Sequence, residues 1–128
     1  MPARVLVIDD SRFLRTALER TLAAKGFEVR AAADGEEGLR LAQEEKFDLI
    51  LLDVFLPKMT GHEVLKRLKN HPSTDTIPVL LLSGVAKPTE LEEMESGAGT
   101  EFLAKQTLDL AAIVASAECC LRTESAYL

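Results

Sequence analysis

The chain has 128 residues, room for one domain, and its formal net charge of −6 leaves no basic face to hold a phosphate backbone. Hydrophobic residues make up 47%, enough for a real core, and Trp is absent with aromatics at only 5%, which argues against base-stacking platforms and aromatic cages. No apolar run approaches a signal peptide or a membrane span, and Cys119 and Cys120 are adjacent in a helix-like stretch where neighbouring side chains diverge. These features point to a small, acidic, cytoplasmic domain with reduced thiols.

In chain order, residues 4–8 form the first apolar run, which ends in Asp9-Asp10. Residues 12–25 place Leu14, Ala17, Leu18 and Leu22 on one helical face, and Gly26 stops that helix. A second, more mixed run at 27–31 has the character of an edge strand. Asp34-Gly35-Glu36-Glu37 has the capping-box form and opens a second helix. The third run, 48–52, is almost wholly apolar and ends in Asp53. Thr60-Gly61-His62-Glu63 opens a third helix, and Pro72 and Pro78 bracket the turn after it.

A fourth run at 78–82 ends in Ser83. Thr89-Glu90-Leu91-Glu92 repeats the cap for a short Glu-rich region, 88–99, that is weakly anchored by Leu91 and Met94 and suits the moving, low-stability end of a domain. The fifth run, 101–104, ends in Lys105, and a last helix is predicted from about 107 to 122. On it, Leu110, Ile113, Val114, Ala117, Cys120 and Leu121 can face the sheet. Leu108, Ala111, Ala112, Ala115 and Cys119 form a second small-residue surface, either a dimer or partner contact or simply an alanine-rich face. The domain is placed at 1–122 and a tail at 123–128.

Strand and helix alternating five times predict an α/β fold, a five-stranded parallel sheet with five helices in a doubly wound arrangement. The near-continuous apolar runs one, three and four are the strands covered on both faces. Asp9-Asp10, Asp53, Ser83 and Lys105 stand at the ends of their runs, separated by two, one and one strand–helix units, so all fall on the carboxyl edge of the sheet. Open α/β sheets bind ligands along that edge. Three carboxylates together repel and call for a hard cation such as Mg2+, and a carboxylate beside that ion can attack phosphorus. A hydroxyl and an ammonium then complete a site that accepts a phosphoryl group on an aspartate.

With Asp9-Asp10 after Leu-Val-Ile, Asp53 in Leu-Leu-Asp-Val-Phe-Leu-Pro, and Gly61, Ser83 and Lys105 in order, nearly the whole chain resembles a response-regulator receiver domain of the two-component signalling family. The resemblance implies strand order 2-1-3-4-5. It implies Asp53 as phosphoacceptor from a histidine kinase or phosphotransfer protein. Asp10 and Asp53 would bind Mg2+ (or Mn2+), with Asp9 assisting through water and the backbone carbonyl of Phe55 completing the protein ligands. Ser83 and Lys105 would hold the phosphoryl group, and Phe102 stands at the switch aromatic position, without the hydroxyl of a Tyr. The start of the first helix (Arg12, Phe13, Arg15) is the implied kinase-docking surface, and the fourth helix, fifth strand and fifth helix the output face. Output would pass to a downstream protein or a homodimer, with no nucleic acid or membrane contacted directly and no output domain following in this chain.

The sequence departs from the family at two places. Gln106 follows Lys105 where the family usually has proline, and a non-proline cis bond costs roughly 3–4 kcal/mol. The loop either holds that bond under strain or is trans with a different lysine path. Phe55 and Val85 occupy rim positions that often carry polar groups to orient water, which predicts slow self-dephosphorylation.

The alternative reading is a receiver-like scaffold that binds partners without phosphorylation, favoured only by Gln106. A Mg2+-dependent phosphatase would need a second carboxylate where Phe55 stands, and a flavin carrier would need a phosphate loop. His62 and His71 lack metal-ligand spacing and read as surface residues, Cys119 and Cys120 as packing residues, and Gly35, Gly61, Gly84 and Gly97 as turn or cap positions.

Overall fold

A computed structural model of the chain describes residues 2–53, 56, 59–83, 100–104, 113–115, 117–119 and 121. Along the chain run β1 (Arg4–Ile8), α1 (Arg12–Ala24), β2 (Glu28–Ala32), α2 (Gly35–Glu44), β3 (Leu49–Asp53), α3 (Gly61–Lys69), β4 (Val79–Ser83) and β5 (Thr100–Ala104). Residues 113–115, 117–119 and 121 are helical and belong to the predicted last helix. The strands form one parallel sheet in the order β2-β1-β3-β4-β5, the order the resemblance implies. The predicted region 88–99 with its Thr89 cap, residues Leu108, Leu110, Ala111, Ala112 and Cys120, and the tail at 123–128 lie outside the described residues.

The alternation of side chains along each strand divides the core into two layers. Leu6, Ile8, Ile50, Leu52, Val79 and Leu81 face Leu39, Leu41 and Ala42 of α2 and Val64, Leu65 and Leu68 of α3. Val5, Val7, Leu49, Leu51, Leu80 and Leu82 face Leu18 and Leu22 of α1 and Ile113, Val114, Ala117 and Leu121 of the last helix. The sheet is therefore covered on both sides, as a doubly wound fold requires. On the last helix, Ala115 and Cys119 are exposed, on the side predicted for them.

β1 has the bounds of the sequence pattern, whereas the bounds of the other strands shift by one residue, and for β2 and β3 hydrogen bonding supplies the reason. Phe27 gives its N–H to Leu22 O at 3.2 Å and so finishes the turn after α1, where Gly26 sits at φ 95° in the left-handed region. The strand begins at Glu28, whose N–H reaches Ala3 O. Asp48 uses its carboxylate Oδ2 to accept the Arg4 N–H at 2.8 Å, capping β1 from below, and β3 starts at Leu49. At the other end, ladder pairing depends on backbone rather than polarity, so Asp53 and Ser83 are the last residues of their strands.

Asp34 and Thr60 cap α2 and α3 as predicted, accepting the N–H groups of Glu37 and Glu63 at 2.9 and 3.2 Å. Gly35 and Gly61 are the first residues of those helices and are buried. Gly38 lies inside α2 against β1: a Cβ there would stand 2.7 Å from Ile8 Cγ1.

The amino-terminal edge of the sheet is laced with ion pairs. Arg4 meets Glu28 at 3.2 Å, pairs with Glu45, donates to Lys46 O at 2.9 Å and lies 5.0 Å from the Phe47 ring centroid. Arg30 reaches the other Glu45 oxygen at 3.4 Å. The hydrogen bond from Arg4, helped by the charges of Arg30 and Arg4 and opposed by desolvation, holds the Glu45 carboxyl below the usual range. Between α3 and β4, buried Thr74 donates to Leu68 O at 2.6 Å. His62 is exposed, whereas His71 is half-buried, its Nδ1 accepting the Ser73 N–H at 3.2 Å.

Candidate functional site

The site begins where β1 stops. Asp9 follows Ile8, and its N–H still donates to Ala32 O at 3.1 Å, which carries the β1–β2 pairing one residue beyond the strand. Its carboxylate Oδ1 accepts the Ser11 N–H at 2.8 Å, an Asx turn with Asp10 at its centre. Ser11 in turn caps α1 by accepting the Leu14 N–H at 3.3 Å. From one turn into α1, Arg15 Nη1 donates to the Asp9 carbonyl at 2.9 Å. Asp9 is fully buried, Asp10 is exposed.

Asp53 arrives from β3, in register with Leu82 of β4 and nearly fully buried at 4% exposure. One carboxylate oxygen from each of Asp9, Asp10 and Asp53 lies within 4.8 Å of the others. Such an all-oxygen set, part buried and part open to solvent, fits a hard divalent ion that keeps some of its water, which is the behaviour of Mg2+. Two of the three carboxylates have little water to screen them, so the cluster favours a cation over an anion.

Ser83 ends β4 in register with Ala104, which puts its backbone at the same edge, and Phe102 pairs with Leu81 two residues back along β5. Phe55, Val85, Lys105 and the bond between Lys105 and Gln106 lie outside the described residues. The roles of Ser11 and Arg15 were not read from the sequence. Ser11 carried a signal, a Ser immediately before an amphipathic stretch. Arg15 carried none, since its reach to Asp9 depends on how α1 leaves the turn.

The response regulator receiver domain family model matches residues 5–118. The chain belongs to that family. Response regulator PleD of Caulobacter vibrioides is 40% identical over 111 residues, covering 86% of this chain and 24% of PleD. The transcriptional regulatory protein AfsQ1 of Streptomyces coelicolor is 46% identical over 83 residues, covering 65% of this chain and 35% of AfsQ1. The chain thus spans well under half the length of these curated relatives. Among solved structures, chemotaxis protein CheY4 of Vibrio cholerae superposes with a TM-score of 0.86 at 33% identity, over 94% of this chain and all of that one. Receiver domains are signalling domains of two-component systems rather than turnover enzymes, and this one has the flavodoxin-like parallel sheet of the class. No helix among the described residues is long and apolar enough to cross a membrane.

Proposed function

We propose that this domain is a phosphorylation-controlled switch in which Asp53 accepts a phosphoryl group from a histidine kinase or phosphotransfer protein. The observation that carries this reading is the convergence of Asp9, Asp10 and Asp53 on one point at the carboxyl edge of the sheet. Asp10 and Asp53 would hold Mg2+, with Asp9 and the Phe55 backbone carbonyl completing the protein ligands. Bound there, the ion supplies charge neutralisation for the incoming phosphoryl oxygens. An Asp53 oxygen forms the bond to phosphorus while the P–N bond of the phosphohistidine breaks, and the imidazole leaves with the bonding pair and takes a proton from solvent. Ser83 would donate to one phosphoryl oxygen and Lys105 would neutralise another.

The domain catalyses only its own phosphorylation and dephosphorylation. Its signal leaves through the face of the fourth helix, β5 and the last helix, where Phe102 reports on Ser83, to a downstream protein or a second copy. Kinase docking at α1 is supported by Phe13, 85% exposed beside Arg12, Thr16, Ala17 and Arg20 around a shallow cavity of about 420 Å³. Arg15, by contrast, is half-buried and turned toward Asp9.

The test is intact-mass and 31P analysis of wild type and Asp53→Asn with Mg2+ and acetyl phosphate. A single adduct that requires both Mg2+ and Asp53 is the expected result. A folded wild type that takes no adduct and binds no Mg2+ would instead identify a non-phosphorylated interaction scaffold, the reading that Gln106 after Lys105 favours.

A further inference from the structure

Asp10 is the exposed member of the acidic cluster, and its direction is set by the peptide that precedes it. That peptide is planar, so its orientation sets ψ of Asp9 and places the N and Cα of Asp10, and the Ser11 N–H bond to Asp9 Oδ1 restrains the peptide that follows; together they set the line of the Asp10 Cα–Cβ bond. Among the described residues, three hydrogen bonds hold this short stretch. Asp9 N–H is anchored to Ala32 O of β2, Asp9 Oδ1 takes the Ser11 N–H across Asp10, and the carbonyl of the Asp9–Asp10 peptide takes the Arg15 guanidinium. The first two are backbone N–H bonds that any residue would supply at those donor positions. Arg15 is the one side-chain donor of the three, and it grips the peptide plane itself.

We infer that Arg15 is a positioning residue for the cation site: it orients Asp10 toward Asp9 and Asp53 by fixing the Asp9–Asp10 peptide. The inference rests on the reading of the three aspartates as a Mg2+ site and adds to it a residue from α1 that makes no ligand bond. Groups that orient metal ligands from behind commonly change affinity by 10–100-fold when removed.

The sign of the effect makes the idea testable. A guanidinium close to an acidic cluster also repels an incoming cation, so a purely electrostatic Arg15 would weaken binding, and its removal would tighten it. A positioning Arg15 does the reverse. Lys keeps the charge and one donor but lacks the planar fork, so it restores only part of the geometry.

The experiment measures Mn2+ affinity, by calorimetry and by the Mn2+ resonance signal, for wild type, Arg15→Met, Arg15→Lys and Asp10→Asn, with metal-free melting curves alongside. The expected result is about tenfold weaker Mn2+ binding for Arg15→Met, partial recovery in Arg15→Lys, and metal-free melting close to wild type in both. Unchanged or tighter binding in Arg15→Met, with Asp10→Asn still impaired, overturns the role of Arg15 and leaves the cation site standing. Loss of affinity that follows a loss of metal-free stability in both Arg15 variants also overturns it, since Arg15 would then serve the fold. Absence of Mn2+ binding in folded wild type overturns both.

Discussion

The Asp9 carboxylate and the Ser11 hydroxyl act back to back: Asp9 Oδ1 accepts the Ser11 N–H at 2.8 Å, while Ser11 Oγ accepts the Leu14 N–H at 3.3 Å. One residue thus belongs to both the acidic turn and the start of α1. The two roles separate by mutation, because the Asx turn uses the Ser11 backbone and the cap uses its side chain. Ser11→Ala should cost about 0.5–1 kcal/mol in denaturant unfolding, the low half of the range for a lost cap, given the long bond. Its Mn2+ affinity should match wild type. A large loss of affinity would mean that the cap, rather than the turn, holds Asp9.

The three carboxylates of the cluster repel one another, and a cation bound among them would offset that repulsion. Mg2+ at about 100-fold above its dissociation constant should stabilise the folded chain by about 2.7 kcal/mol, several degrees in a thermal melt. Asp53→Asn should melt at or above wild type without metal and should gain much less from Mg2+. A Mg2+ response of equal size in both proteins would place the ion elsewhere.

Gly38 permits α2 to press onto β1. A methyl at that position would meet Ile8 Cδ1 at 2.5 Å, Cγ1 at 2.7 Å and Cγ2 at 3.1 Å, so rotation of the Ile8 tip alone does not relieve it. Overpacking of this kind costs about 1–3 kcal/mol, against which the helix gains only about 0.5–1 kcal/mol from replacing glycine. Gly38→Ala should therefore destabilise on balance. Combined with Ile8→Ala, the loss should be smaller than the sum of the two single changes, a coupling that a double-mutant cycle in urea would reveal.

Stability at acid pH should report on Glu45. Its folded carboxyl is held below the ordinary value of 4.5 by the Arg4 hydrogen bond. The contribution is present above 4.5 and is lost as pH falls from there through the lower, folded value. Wild type should be more stable than Glu45→Gln at neutral pH, and the gap should narrow below that point. Parallel curves throughout the acid range would show that the ion pair contributes nothing.

Phe55 and Val85, at the two positions that the family resemblance assigns to the site rim, predict a long-lived phosphoryl group on Asp53 in the proposed function. Phe55→Glu should shorten that lifetime about tenfold or more, since a positioned proton acceptor contributes on the order of 100-fold or above to such steps. The readout is decay of the mass adduct after removal of the donor. A wild-type adduct lost within seconds would contradict the prediction.

The layout of the sheet was legible because strands covered on both faces need near-continuous apolar runs, and 4–8, 48–52 and 78–82 supply them. The acidic cluster was legible for a related reason: polar residues at the ends of those runs must share an edge when the strands are parallel. Pairing registers and near contacts were not legible. Phe27 belongs to a turn rather than to β2 because its N–H finds Leu22 O. Gly38 read as nothing in particular, although a glycine inside a helix signals a close neighbour. Arg15 has the composition of any surface arginine, and only the path of the chain through Asp9, Asp10 and Ser11 brings it to the Asp9 carbonyl.

The Arg4 network at the opposite edge has a bearing on the order of events. There Arg4 and Arg30 meet Glu28 and Glu45, so charge is locally balanced. At the carboxyl edge, Asp9, Asp10 and Asp53 stand together. Among the described residues, the ion pairs thus gather at one edge of the sheet and the part-exposed acidic cluster at the other, which in the proposed function is the edge a phosphodonor, itself an anion, would approach. In that reading cation and donor would not be interchangeable first visitors: the carboxylates would draw the ion, and the anionic donor would be disfavoured until the ion had settled. Under the proposed function, phosphorylation would be a sequence, metal before donor, set by the carboxylates that share one edge of the sheet.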